Sequence, residues 1–172
     1  VSGTLGFSYA GLDLLQGGHV APHARGVEEL GELEPFVRTY RSPQPPLGSG
    51  VAAAGAGARA MMDLSDGPAA DATRMAAASG VVIDFDRPSI EEEAWKLQGP
   101  ALICRADPVR WVLQGGEEHG MLAAFPPDAQ LPQGFRAIGR ARECAAGERP
   151  CAMFDGEVLR GAWDHFSSDS VN

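Results

Sequence analysis

Apolar positions fall in short runs along this chain, and glycine and proline punctuate them. Residues 1–6 read as the end of a strand running into a glycine turn. Residues 8–15 then carry Tyr9, Leu12 and Leu15 at helical spacing, so a helix with these on its inner face is expected. A loop follows over 16–26, with Gly17, Gly18, Pro22 and Gly26. A second helix is predicted over 33–40, with Phe36, Val37 and Tyr40 as its apolar stripe, stopped by Pro43, Pro45 and Pro46. Residues 47–57 are small and helix-capable, and a strand follows to Leu64. A helix over 68–79 should end at Gly80 in a left-handed cap, and a strand is predicted over 81–85. Residues 87–100 fit no single pattern. A short helix over 107–114 and strands over 121–125 and 135–138 come next. A hairpin over 151–159 turns on Asp155-Gly156. Strands mixed with helices and closing on a hairpin indicate an α+β fold rather than a doubly wound one.

Chemistry concentrates where the strand ending at Leu64 meets the helix beginning at Pro68. Met62-Asp63-Leu64-Ser65-Asp66-Gly67 puts two carboxylates and a hydroxyl at the lip of a sheet, beside a helix N-terminus. Such a helix end attracts anions, and carboxylates beside it suit a phosphate carried with a divalent metal. The competing reading is that Ser65 or Asp66 only caps the helix. Gly3-Thr4-Leu5-Gly6 ahead of a helix is either a plain turn or a backbone cradle for phosphate. Gly115-Gly116-Glu117-Glu118-His119 is either a solvated turn or a place where a ligand approaches the backbone. Trp163 and Phe166, in Trp163-Asp164-His165-Phe166, either stack on a heteroaromatic ring or anchor the terminal segment. His19 and His23 lie four apart, but Gly17, Gly18 and Pro22 oppose the helical geometry a metal pair would need.

Composition removes several classes. Fourteen basic residues against twenty-three acidic ones, for a net charge of -9 over 172 residues, argue against nucleic acid as a partner. No apolar run approaches a membrane span, so no membrane partner is expected. Three cysteines without CxxC spacing fit a reducing, cytoplasmic setting better than a disulfide framework or a zinc site. The chain opens at Val1 as if inside an element, so natural sequence is expected upstream of it.

Taken in order, these motifs resemble one family. The opening Val1-Ser2-Gly3-Thr4-Leu5-Gly6, the proline-rich Arg41-Ser42-Pro43-Gln44-Pro45, Met62-Asp63-Leu64-Ser65-Asp66-Gly67 with Asp71, and Trp111-Val112-Leu113-Gln114-Gly115-Gly116-Glu117 carry the resemblance. Ile138-Gly139 and the closing Trp163-Asp164-His165-Phe166 complete it. Together they resemble the C-terminal half of thiamine-monophosphate kinase, in the superfamily of aminoimidazole ribonucleotide synthetase and selenophosphate synthetase. The resemblance implies a layered α/β/α domain with a mixed sheet over residues 1–166, with a flexible tail over 167–172. It implies transfer of phosphate from ATP to thiamine monophosphate with magnesium (Mg2+), in a homodimer whose N-terminal domain supplies much of the nucleotide and metal site. It implies Asp63 and Asp66 as magnesium ligands, Ser65 as an ATP contact, and Glu117 as a thiamine-phosphate contact. The family's C-terminal substrate-contacting tryptophan falls near Arg160, with Trp163 as its stand-in. On this reading the isolated chain would not turn over. The family usually follows Gly-Gly-Glu with Asp-Tyr-Glu-Leu, whereas this chain has Glu118-His119-Gly120-Met121. It also has Pro68 for the usual leucine and Phe7-Ser8 for the usual Asp-Ser. The alternative is a non-catalytic ligand-binding or assembly domain derived from the same family, motivated by the altered Glu118-His119-Gly120 segment.

Overall fold

The computed structural model describes residues 1–159. The expected tail over 167–172, the far end of the expected domain, and the Arg160 and Trp163 positions lie outside the described residues.

Gly6 turns the chain at φ 78° into α1 (Phe7–Gln16). The predicted helix is there, but its inner face is not the predicted one. Ala10, Gly11 and Leu14 are buried, while Tyr9, Leu12 and Leu15 are only partly covered. The reason is a close helix crossing. After α2 (Gly26–Leu30), which the sequence pattern did not anticipate, and a 3-10 turn, α3 (Glu34–Arg41) packs across α1. A Cβ on Gly11 would strike the carbonyl of Phe36, so only the small residues of α1 admit α3. Phe7 and Phe36 close one end of this contact with ring centroids 4.8 Å apart. Arg41, in the last turn of α3, holds the preceding loop through the carbonyls of Ala24 and Pro22, at 2.5 and 2.6 Å.

The next helix, α4 (Ser49–Gly55), leads to β1 (Ala60–Asp63). From Gly67, at φ 97°, the chain enters α5 (Pro68–Ser79), with proline at its first position, where no amide is needed. Gly80 ends α5 in the left-handed conformation, as predicted, and β2 (Val81–Phe85) follows. The segment with no single pattern is two helices, α6 (Arg87–Trp95) and α7 (Gln98–Cys104). Asp86 caps α6 by accepting the Ser89 amide at 3.1 Å. Asp107 likewise caps α8 (Pro108–Gln114), accepting the Val109 amide at 2.9 Å.

β3 (Met121–Ala124) pairs antiparallel with β1, Asp63 opposite Met121 and Ala60 opposite Ala124. The strand predicted over 135–138 is corrected by the structure. Phe135 makes only an isolated bridge to Ser2, and the strand is β4 (Gly139–Glu143). Its Arg140, Arg142 and Glu143 are exposed at a sheet edge, where charge is the usual protection, so it lacks the apolar signature of a strand. β5 (Cys151–Phe154) and β6 (Glu157–Val158) form the predicted hairpin, with Asp155 and Gly156 both at positive φ. β4, β2, β5 and β6 make a mixed four-stranded sheet in that order, β2 being antiparallel to β4 and parallel to β5. The α+β expectation with a mixed sheet therefore holds.

α5 packs against strands of both sheets, and its buried Ala69, Ala72 and Ala76 let the backbones approach. The largest buried side chain is Trp111 of α8; its indole donates to Asp13 of α1 at 2.8 Å, which fixes the two helices relative to each other. Arg136 grips the buried Glu93 of α6 at 2.5 and 2.8 Å, and donates to the Gly3 carbonyl at 2.8 Å. Burial opposes ionisation of Glu93, but hydrogen bonds from Arg136 and Lys96 outweigh it and hold its pKa below the ordinary value. No helix among the described residues is long and apolar enough to cross a membrane.

The α1–α3 crossing yields a direct test. Gly11→Val should force the two helices apart and destabilise the chain by about 2–3 kcal/mol, the usual cost of overpacking. The midpoint of urea unfolding, at unchanged slope, measures it; a midpoint equal to wild type would show that the crossing is loose.

Candidate functional site

The turn at the end of β1 lies directly on a second turn that follows α8. Beyond the last regular pair of β1 and β3, the two chains remain bonded. Leu64 donates its amide to Gly120 at 2.8 Å, His119 donates to Leu64 at 3.1 Å, and Glu117 donates to Ser65 at 2.9 Å. The glycines at this junction let backbone pass backbone. A Cβ on Gly116 would collide with the Ser65 carbonyl and come within 2.9 Å of Asp66. A Cβ on Gly67 would lie 2.5 Å from the Gly115 carbonyl oxygen, and one on Gly115 would lie 3.2 Å from Gly6 and 3.1 Å from Tyr9. The sequence leaves Gly115-Gly116 open between a solvated turn and a place where a ligand approaches the backbone; the structure shows these glycines admitting the Ser65-Asp66-Gly67 turn and α1.

Above this junction opens a cleft of about 480 Å³. Ser65 and Asp66 face it from one turn, and Gly116 and Glu117 from the other. Ser8, Tyr9 and Leu12 of α1 form a wall, and Tyr40 and Pro43 stand at the end of α3. Residues separated by more than a hundred positions thus line one space. This explains the partly covered face of α1, since Leu12 and Tyr9 line the cleft, Tyr9 while also packing against the core.

The carboxylates are not equivalent. Asp66 has 22% of its side chain exposed and is ion-paired with Arg74. Arg74 also donates to the buried Asp71 at 2.5 Å, and Asp71 accepts the Asp66 amide at 3.1 Å. Burial pushes the Asp71 carboxyl above its ordinary pKa against the pull of these hydrogen bonds. Gly67, not a side chain, caps α5, so Ser65 and Asp66 are not helix caps in the side-chain sense. Asp63 is 65% exposed and lies 4.0 Å from the Nδ1 atom of His119, whose Nε2 atom is 3.9 Å from Glu117, itself 75% exposed. Two exposed carboxylates with a histidine between them would repel a phosphorylated ligand unless a cation intervened. Magnesium takes one or two carboxylates together with phosphate oxygens and water, and Asp63 fits that role. Asp66 fits it less well, because Arg74 already neutralises it. Among the described residues no group of three or more His, Cys, Asp or Glu is arranged to hold a metal.

Glu118, which the sequence offered only within the Gly115–His119 motif and as a departure from the family pattern, points the opposite way. It is only 6% exposed, and its Oε1 atom accepts the Ser8 amide at 2.8 Å. The turn at residues 3–6 therefore does not offer an open phosphate cradle; the carboxyl of Glu118 meets the start of α1. Its neighbours Glu117 and His119 both have positive φ, at 69° and 52°, a conformation costing about 1–2 kcal/mol for each non-glycine residue. Asp71 and Arg74 were also missed as a pair, though their three-residue spacing on a predicted helix was a usable signal. Of the residues expected to act, Ser65, Asp66 and Glu117 line the cleft, and Asp63 stands beside it through His119.

Burial pushes the Glu118 carboxyl up to about 7, against the pull of the backbone amides of Ser8, Phe7 and Gly6 and of the Arg136 charge. The folded pKa then exceeds the unfolded one, so stability present below the unfolded value is lost as pH rises from about 4.5 through about 7. Glu118→Gln should remove a pH-dependent loss on the order of 2–3 kcal/mol, read as the difference between variant and wild-type unfolding free energies at pH 5 and pH 8. Parallel pH profiles for the two proteins would contradict it.

No family model matches the chain. It is 39% identical over 168 residues to the thiamine-monophosphate kinase of Mycobacterium tuberculosis, covering 96% of this chain and 45% of that protein. The crystal structure of the thiamine-monophosphate kinase from Stenotrophomonas maltophilia aligns with a TM-score of 0.71 at 27% identity, covering 92% of this chain and 50% of that one. A structure described as AaThiL complexed with AMPPCP and TMP aligns with a TM-score of 0.68 at 26% identity, covering 96% of this chain and 50% of that one. The chain spans about half the length of the curated relatives it matches. These neighbours have the aminoimidazole ribonucleotide synthetase-like fold expected from the sequence.

Proposed function

We propose that this chain, which is kin to the C-terminal half of the thiamine-monophosphate kinases, carries the acceptor-facing part of an ATP-dependent kinase forming thiamine diphosphate from thiamine monophosphate. The observation that carries the reading is the convergence of Ser8, Tyr9 and Leu12 of α1, Pro43 of the proline-rich segment, the Ser65-Asp66 turn and the Gly116-Glu117 turn on one cleft. The related structure complexed with AMPPCP and TMP supports ATP, for which AMPPCP stands in, and thiamine monophosphate as the reactants of the whole protein. A cleft of about 480 Å³ suits one small ligand, so much of the nucleotide site falls to the other half of such an enzyme.

The roles follow from position and charge. Thiamine monophosphate carries a cationic thiazolium ring, and the exposed carboxylate of Glu117 offers it a counter-charge at the rim. Tyr9 and Tyr40, from the packed helices α1 and α3, offer aromatic rings to the cleft. The Ser65 hydroxyl serves as a phosphate contact of the nucleotide. Phosphoryl transfer asks for positioning and charge neutralisation rather than covalent help from the protein. Magnesium, when bound, supplies that neutralisation; Asp63 would hold it, with Asp66 kept in reserve by Arg74. Cytoplasmic location and a homodimer of the full-length protein complete the reading.

In the full-length protein, Glu117→Gln should raise KM for thiamine monophosphate by about tenfold or more, the scale of one lost charged contact, and leave KM for ATP within twofold. Steady-state kinetics with each substrate varied in turn measures this. An unchanged KM for thiamine monophosphate would remove Glu117 from the site, and absence of thiamine diphosphate formation by wild type would overturn the function itself.

A further inference from the structure

Glu118 is a buried carboxyl beside the cleft that the proposed reaction does not use. It lies between two residues of left-handed backbone, and the three side chains divide their directions. Glu117 turns to the cleft, His119 lies between Asp63 and Glu117, and Glu118 turns inward to the Ser8 amide. A segment holding two such residues within three positions relaxes unless something over-determines it. On one side the Glu117 amide is bonded to the Ser65 carbonyl at 2.9 Å. On the other, the carboxyl of Glu118 is the side-chain tie from this segment to α1, the helix that carries Ser8, Tyr9 and Leu12 of the opposite cleft wall. Glu118 thus joins the loop bearing Glu117 to the wall facing it.

We propose that Glu118 is a positioning residue: its buried carboxyl, bonded to the start of α1, holds residues 117–119 in the conformation that aims Glu117 into the cleft and sets the spacing to Tyr9. It acts through Glu117 and touches no reactant. The proposal rests on the kinase reading for its kinetic consequence but not for its structural one, and the two are separated by experiment. In the full-length protein, Glu118→Ala should raise KM for thiamine monophosphate at least tenfold, with KM for ATP within twofold. Glu118→Gln, which keeps the acceptor oxygen, should restore KM to within threefold of wild type. Amide hydrogen exchange over residues 115–120 should quicken at least tenfold in Glu118→Ala and stay near wild type in Glu118→Gln. A protein that changes only its melting temperature in Glu118→Ala, with KM and local exchange unchanged, overturns the proposal. So does a parallel rise of both KM values, which marks general loosening. If wild type proves to have no kinase activity, the kinase reading fails, and the exchange measurement still decides whether Glu118 holds the segment.

Discussion

The contact on which this structure depends is backbone against backbone. The turn at Ser65-Asp66-Gly67 rests on the turn at Gly115-Gly116, and at three glycines a single added carbon would collide with or crowd the opposing main chain. Dispersion and hydrogen bonding at that distance are available only where side chains are absent. The consequence is positional. β1 and α8 end at one place, and the side chains just beyond each turn, Asp66 and Glu117, come to face the same cleft. Gly6, against Trp111 and near Gly115, brings the start of α1 to the same junction.

Electrostatics then divides the labour among the acids. Asp66 is balanced by Arg74, Asp71 is buried under the same guanidinium, and Glu118 is withdrawn to the start of α1. Asp63 and Glu117 remain outward-facing, with His119 between them. A cleft with this rim suits a ligand that is both phosphorylated and cationic, with a divalent ion between carboxylate and phosphate. Under the proposed function, phosphate is held through a divalent ion rather than through clustered lysines, in keeping with the net charge of -9.

Local signals in the sequence read through to the fold where the physics was local. The α5 boundaries, the Gly80 cap, β2 and the Asp155-Gly156 hairpin follow from proline, glycine and alternation alone. The failures are tertiary. The inner face of α1 carries Ala10 and Gly11 where α3 crosses closely, a fact held in Phe36 rather than in α1. β4 is charged because it is an edge, and edge status depends on its partners. For the site, the carboxylate-bearing turns were legible as motifs. The glycines beside them stay open in the sequence between a solvated turn and a close approach by ligand, and the structure adds a close approach by backbone, which demands the same residue. The inward turn of Glu118 was not legible for a related reason: within an acidic pair, nothing local says which carboxylate turns inward.

The central claim is that the two glycine turns build the ligand cleft by direct backbone contact. Gly116→Ala in the full-length protein tests it, with calorimetric titration of thiamine monophosphate in the presence of magnesium and AMPPCP. The account predicts that the added methyl displaces the Ser65 carbonyl and weakens thiamine monophosphate binding at least tenfold while the protein still folds cooperatively. Wild-type affinity in that variant would contradict it.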